Sequence, residues 1–317
     1  MRHSVAVYAD AALGGYGFGD GHPFDPERLN AFLTAFERCG LRDRVEILRA
    51  VAGTEQDARL FHHSDYLTRL RTLSAVGAGM LDQGDTPVFP GIWEAALLVI
   101  GSVLDAVSRI MAGQILRAFV PIAGLHHARR DAAAGFCVLN DCGIAINALR
   151  QRHGVARVAY VDIDAHHGDG VFYAFESDPE CFIVDFHEDG RFLYPGTGSR
   201  KETGRGTALR TKLNLPLPPG ATDDLVDQLW PAVETFLVRA EPEFVILQCG
   251  ADNLRGDPLA HLSLTAETHR RVARALCQIA DTHCGGRLLA LGGGGYDHAN
   301  LGNAWTGVVS ALLACDA

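Results

Sequence analysis

The densest run of metal-binding and acid–base side chains in the sequence is Asp162-Ile163-Asp164-Ala165-His166-His167-Gly168-Asp169. In extended chain, alternate residues share a face, so Asp162, Asp164 and His166 can point the same way with Ile163 and Ala165 behind them. Two carboxylates and an imidazole suit a hard-to-borderline divalent cation such as Zn2+, which catalytic sites hold with three protein ligands and leave a fourth position for water. Asp252, in Cys249-Gly250-Ala251-Asp252, is the candidate ligand from another strand. A buried polar network without a cation is the bland alternative, and it is disfavoured because so many buried acids would be costly. His126-His127 forms a second pair. Beside Asp162 and Asp169, such histidines would gain a fixed tautomer and a raised pKa, as a general base needs. Gly292–Gly295 has neither the G-x-G-x-x-G spacing nor a P-loop lysine. It reads instead as a loop whose backbone passes close to a ligand, with Tyr296 swung into the same site or simply packed. Phe136 and Tyr194 could flank a channel or fill the core. His62-His63 reads as structural, ahead of a helix that Ser64 would cap.

The elements that must position these residues follow from the apolar pattern. Strands are expected at Ser4–Tyr8, Val45–Val51, Ala118–Ala123, Arg157–Ile163, Cys181–Phe186, Phe244–Cys249 and Leu288–Leu291. Helices are expected at Pro26–Arg38 (capped by Asp25), Asp65–Val76, Ile92–Ala112, Asp141–Arg152, Thr222–Arg239, Thr265–His283 and Leu301–Leu313. Apolar strands without polar alternation, each followed by a helix, imply a parallel sheet buried on both faces, hence an α/β fold. The pattern never changes style, so residues 1–317 read as a single domain. Ligand sites in such sheets lie beyond the carboxyl ends of the strands. Five of the strands end there in His126-His127, Asp164–Asp169, His187-Glu188-Asp189, Asp252 and Gly292–Tyr296.

These segments resemble a family. Gly124–Ala128, Gly135-Phe136-Cys137-Val138-Leu139-Asn140-Asp141, Val161–Gly170, Tyr194-Pro195-Gly196-Thr197-Gly198, Cys249–Asp252 and Leu291–Tyr296 are similar, in order, to motifs of the zinc-dependent histone deacetylase superfamily. Its bacterial acetoin-utilisation branch and the acetylpolyamine amidohydrolases are included. The likeness runs from about Gly21 to the C-terminus. It implies the arginase–deacetylase fold, a three-layer α/β/α domain around an eight-stranded parallel sheet. It also implies Asp164, His166 and Asp252 as ligands of Zn2+ or Fe2+, and His127 as general base and acid oriented by Asp169. His126, paired with Asp162, becomes an electrostatic partner, and Tyr296 the donor to the scissile carbonyl. Gly135, Phe136 and Tyr194 would wall an acyl-lysine channel, with Asp85 as a rim acid that binds substrate N–H groups. The expected substrate is an acetylated lysine or acetylated amine. An acetylpolyamine or other small amide is the alternative. A long-chain lysine deacylase, an arginase-like ureohydrolase and a non-catalytic acyl-group binder stand further off.

There are departures from the family pattern. Asp185 stands where the family has a small hydroxyl residue near a structural K+ or Na+ site, and a carboxylate there should bind a cation more strongly or change its identity. Ala123 replaces a glycine and Leu125 an aromatic residue, which should alter the acetate-release cavity. No catalytic group is lost, so an active enzyme is expected. With 28 Lys+Arg against 38 Asp+Glu, the net charge is −10, too acidic for a nucleic-acid partner. The apolar stretch Val5–Tyr8 is too short for a signal-peptide core, and no segment reaches the roughly 18 apolar residues of a membrane span. The eight cysteines form no C-x-x-C pair, which points to a cytoplasmic setting. An oligomer is left open.

Overall fold

A computed structural model describes residues 4–19 and 21–315 of the chain. Residues 1–3 of the expected N-terminal segment lie outside it, as do 20, 316 and 317. Eight strands form one all-parallel sheet: β1 (Val5–Val7), β2 (Glu46–Ile47), β3 (Arg117–Val120), β4 (Val158–Asp162), β5 (Cys181–Glu188), β6 (Lys212–Leu217), β7 (Phe244–Gln248) and β8 (Leu288–Leu291). Their order is β2-β1-β3-β8-β7-β4-β5-β6. Every residue of β3, β4, β7 and β8 is buried, as a parallel strand covered on both faces must be.

Nine α-helices lie among the described residues: α1 (Glu27–Arg38), α2 (Glu55–Ala58), α3 (Ser64–Val76), α4 (Ile92–Met111), α5 (Asp141–His153), α6 (Asp169–Phe175), α7 (Asp223–Ala240), α8 (Ala266–Cys284) and α9 (His298–Ala314). Helix α9 packs between α1 and α8, and α8 in turn lies on β7 and β8. Helix α4 packs on α5 and covers β3 and β8. The α1 stripe Leu29, Phe32 and Phe36 meets Trp305 of α9, with the Phe32 and Trp305 rings 5.8 Å apart. Trp305 Nε1 donates to the Cys249 carbonyl (3.1 Å), which ties α9 to the end of β7.

The differences from expectation have physical reasons. The Val45–Val51 strand shrinks to Glu46–Ile47, because β2 is an edge strand held through two register pairs. Strand β6 was not expected. Its Lys-Leu-Asn-Leu-Pro-Leu sequence mixes polar with apolar residues and forms the other edge, where Lys212 and Asn214 are nonetheless buried. Neither expected side-chain cap forms. Pro26, not Asp25, occupies the N-cap of α1, and Ser64 is already helical, with His63 at the N-cap of α3. All eight cysteines are free.

Candidate metal and catalytic site

Strands β3, β8, β7 and β4 are consecutive neighbours at the centre of the sheet. The loops leaving their carboxyl ends carry His126-His127, Tyr296, Asp252, and Asp164 with His166. Four segments far apart in sequence therefore meet at one edge, where an α/β sheet places its ligand.

Asp164, His166 and Asp252 offer ligand atoms that all lie within 4.8 Å of one another. His166 Nδ1 faces Asp164 Oδ1 at 3.1 Å and Asp252 Oδ2 at 3.0 Å. The remaining oxygens are held by donors of the chain. Asp164 Oδ2 accepts from Gln248 Nε2 (2.9 Å) and the Gly294 amide (2.9 Å), and Asp252 Oδ1 accepts from the Ala165 amide (2.8 Å). One oxygen of each carboxylate is thus fixed outward and the other aimed at a shared point, as metal-ligating carboxylates are. Backbone crowds this point. A Cβ on Gly250 would run into the Asp164 carboxylate, and one on Gly294 into that of Asp252. The donor set fits a divalent cation: two buried carboxylate oxygens and the nitrogen of a largely buried imidazole.

The electrostatics of the cluster favour positive charge at this point. Burial and the neighbouring Asp164 push Asp252 up to about 7. Burial would lower His166, but its bonds to Asp164 and Asp252 outweigh that and raise it to about 10.

Asp162 departs from the alternate-face expectation. β4 ends at Asp162, so Asp164 and His166 lie in the loop beyond, and Asp162 turns to His126 instead. Its Oδ2 accepts from His126 Nδ1 (2.8 Å) and from the Tyr160 hydroxyl (2.6 Å). Burial disfavours a charge on His126, but Asp162 and Asp164 overcome this and raise it to about 10. His127 behaves in the opposite way. Its Nδ1 bonds Asp169 Oδ1 at 2.7 Å, at the start of α6. Burial and the adjacent His126 charge lower it to about 4, and Asp169 opposes them only in part. The raised pKa expected of both histidines holds for His126 alone. His126 Nε2 lies 3.1 Å from His127 Nε2, within hydrogen-bond reach.

The channel residues gather around this pair. The Tyr194 ring lies 5.1 Å from that of His127 and the Tyr296 ring 5.9 Å from that of Phe136. Gly135 has φ +53, and a Cβ there would stand 2.5 Å from His127 Cδ2 and 3.1 Å from Tyr194 Cε1. Only glycine fits. Asp85 is exposed at the rim of a cavity whose wall includes Tyr194. His62 is structural, its Nε2 accepting from the Asn140 amide (2.9 Å).

Asp185 has its charge met inside the chain. Its Oδ1 bonds His187 Nδ1 (2.7 Å) and its Oδ2 accepts from the Gly168 amide (2.9 Å). His187 Nε2 donates onward to the Gly198 carbonyl (2.9 Å). Burial would lower the His187 pKa, but Asp185 outweighs it and raises it.

Several contributors were not singled out from the sequence. Gln248 orients Asp164, and Asp257 Oδ2 accepts the Tyr296 amide proton (2.7 Å). Asp141 holds the Gly124 and Leu125 amides (2.8 and 2.9 Å), which sets the approach to His126. Arg28 clamps the carbonyls of Gly295 (2.8 Å) and Gly293 (2.6 Å). Asp141 could have been found, since it closes the Gly-Phe-Cys-Val-Leu-Asn-Asp run.

Comparison with known proteins places this geometry. The histone deacetylase domain model matches residues 22–312. The acetoin utilization protein AcuC of Bacillus subtilis is 37% identical over 94% of this chain and 78% of its own length. Histone deacetylase RPD3 of Saccharomyces cerevisiae is 33% identical over 98% of this chain and 73% of its own. The solved HDA15 HD domain superposes with a TM-score of 0.90 at 28% identity, over 99% of this chain and 89% of that one. With its parallel sheet and its converging Asp164, His166 and Asp252, the chain belongs to the histone deacetylase family, and it is a metal-dependent deacetylase of acetyl-lysine or related amines.

Proposed function

We propose that Asp164, His166 and Asp252 hold a Zn2+ ion, or Fe2+ in its place, and that the chain hydrolyses Nε-acetyl-lysine with His127 as its base. Such an ion supplies an acidified water and a polarised carbonyl. The observation that carries the proposal is geometric: His127, its Nδ1 held by Asp169 at 2.7 Å, and His126, its Nδ1 held by Asp162 at 2.8 Å, stand at the same sheet edge as the converging Asp164, His166 and Asp252.

His127 Nε2 then accepts a proton from the attacking water. The carbonyl carbon gains the C–O bond, and the C–N bond breaks as His127 returns the proton to the leaving amine nitrogen. Asp169 keeps the imidazole oriented and stabilises its protonated form. Tyr296 donates its hydroxyl proton in a hydrogen bond to the carbonyl oxygen as charge develops there, and Asp257 positions its backbone. Gly135, Phe136 and Tyr194 enclose the acyl-lysine stem, and Asp85 offers an acceptor to substrate N–H groups.

The test is turnover of acetyl-lysine peptides, acetylpolyamines and longer acyl-lysines, with and without chelator. The proposal expects the acetyl-lysine peptides to be hydrolysed best and chelator to abolish this, with Zn2+ or Fe2+ restoring it. Chelator-insensitive turnover, or none with any substrate, overturns it.

A further inference from the structure

The mouth of the channel opens beside a cavity of about 650 Å3 whose lining includes Arg69, Asp82, Asp85, Arg129 and Tyr194. Tyr194 belongs to both places, since its ring also faces His127 at 5.1 Å. The cavity is therefore adjacent to the reacting centre.

The acids and bases of this cavity differ in how far they are already used. Asp82 is spent on its own loop. Its Oδ1 accepts from the amides of Gly84 (3.1 Å), Asp85 (3.1 Å) and Thr86 (2.9 Å), and its Oδ2 from the Thr86 hydroxyl. That loop is pinned to the channel wall, because Phe136 N–H donates to Thr86 Oγ1 (3.1 Å) and His22 Nε2 to the Asp85 carbonyl (3.0 Å). Arg69, on the exposed face of α3, and Arg129, two residues beyond His127, are different. Both are exposed, and among the described residues neither guanidinium has a hydrogen-bond or ion-pair partner. The cavity thus presents two unspent guanidinium forks beside Asp85, whose Oδ1 accepts from the Thr86 hydroxyl (3.2 Å).

We propose that Arg69 and Arg129 form a carboxylate-binding subsite that makes this enzyme prefer acetyl-lysine with an acidic group next to it; this rests on the deacetylase reading above. A guanidinium fork pairs with a planar carboxylate through two parallel N–H bonds. A doubly charged phosphate would meet Asp85 in the same cavity, whereas a singly charged carboxylate next to a peptide N–H matches both signs. Polycationic acetylpolyamines face the two free arginines and are selected against. The carboxylate can come from an Asp or Glu side chain flanking the acetyl-lysine or from the α-carboxylate of a C-terminal acetyl-lysine.

The experiment compares kcat/KM of the metal-loaded full chain on matched peptides. One set carries Glu, Gln or Lys beside an internal acetyl-lysine, and another ends in acetyl-lysine as the free acid or the amide. The Glu peptide, the free-acid peptide, or both should exceed their neutral partners by about threefold to tenfold, and the preference should fall as salt is raised. Which set responds identifies the source. In R69A/R129A the ratio should fall to about one, and in R69E/R129E it should turn in favour of Lys. The same peptides bound to Y296F, followed by fluorescence anisotropy, report the preference without turnover. Equal kcat/KM on acidic and neutral peptides, or a preference that survives the charge reversal, overturns the subsite and leaves the deacetylase reading standing. No hydrolysis of any peptide, with the acidic preference intact in binding, supports the subsite and removes the lysine-deacetylase reading.

Discussion

Replacing Tyr296 by Phe separates chemistry from structure because of what the ring does and what its hydroxyl does not. The ring packs 5.9 Å from Phe136 and 6.5 Å from Phe24, with the Arg28 guanidinium 5.5 Å above it. All of this survives in Tyr296→Phe, as does the amide bond to Asp257 (2.7 Å). The hydroxyl makes no hydrogen bond to any described residue, so its loss orphans no partner. The stability change should therefore stay within about 0.5 kcal/mol, the range of a substitution that breaks no contact. If the hydroxyl stabilises the developing oxyanion, its loss should cost about 3 kcal/mol, or roughly 100- to 1000-fold in kcat, with the larger effect in kcat than in KM. Burial holds the hydroxyl pKa well above its usual value, so the donor stays protonated and the deficit should be the same across the neutral and mildly alkaline range. The assay is kcat and KM on an acetyl-lysine peptide, alongside bound-metal analysis and a thermal melt. A variant within about threefold of wild-type kcat at full metal occupancy would refute the assigned role. So would a loss matched by a collapse in Tm, since packing would then explain it.

Other perturbations probe the supports of the same site. Gly135→Ala forces a Cβ to within 2.5 Å of His127 Cδ2 at φ +53. It should lower kcat/KM by about 100-fold through a misplaced base, measured against metal content that stays normal. Gln248→Leu removes the donor 2.9 Å from Asp164 Oδ2 and should weaken metal binding about 10- to 100-fold in a competitive chelator titration. Asp169→Asn should lower kcat by several orders of magnitude, with little change in KM, because the amide fixes neither the His127 tautomer nor its charge. Linkage predicts the pH response of the metal-free protein. The folded pKa of His127, about 4, lies below the usual 6.5, so its contribution is present above pH 6.5 and is lost as pH falls toward 4. At full span this is on the order of 3 kcal/mol. His126, raised to about 10, contributes below pH 6.5 and loses that as pH rises toward 10. Thermal melts across pH 4–7 should slope less steeply in His127→Gln than in wild type, and equal slopes would contradict the assigned shift.

The central strands were legible because each is a short run of apolar residues ending in something unlike itself. Leu288–Leu291 before four glycines, and Phe244–Gln248 before Cys-Gly-Ala-Asp, advertise both the strand and its functional end. β6 was not legible by that rule. Lys212 sits in it as a fully buried cation satisfied by the carbonyls of Asp178 (3.0 Å) and Cys181 (2.6 Å), a solution that depends on where β5 runs. The candidate ligands were readable as residue types gathered at strand ends, whereas their supports were not. Asp257 reaches Tyr296 across 39 residues of sequence and Gln248 reaches Asp164 across 84, so the topology alone makes them neighbours. The direction of the His127 shift was hidden for a related reason. A neighbouring carboxylate argues for a raised pKa, and only the packed structure shows that burial and the His126 charge prevail.

The position of β8 bears on how the chain is born. It is the last strand in sequence yet it is inserted between β3 and β7, pairing with both. A ribosome that has released every residue up to Gly286 has produced β1 to β7 but no sheet that can close. Two buried strands, β3 and β7, stand open at its middle until Leu288–Leu291 emerge. Unpaired edges of this kind invite pairing with other chains. Premature termination just before β8 should therefore give aggregates rather than a folded but inactive fragment, and the same insertion is what brings Tyr296 beside Asp164 and Asp252.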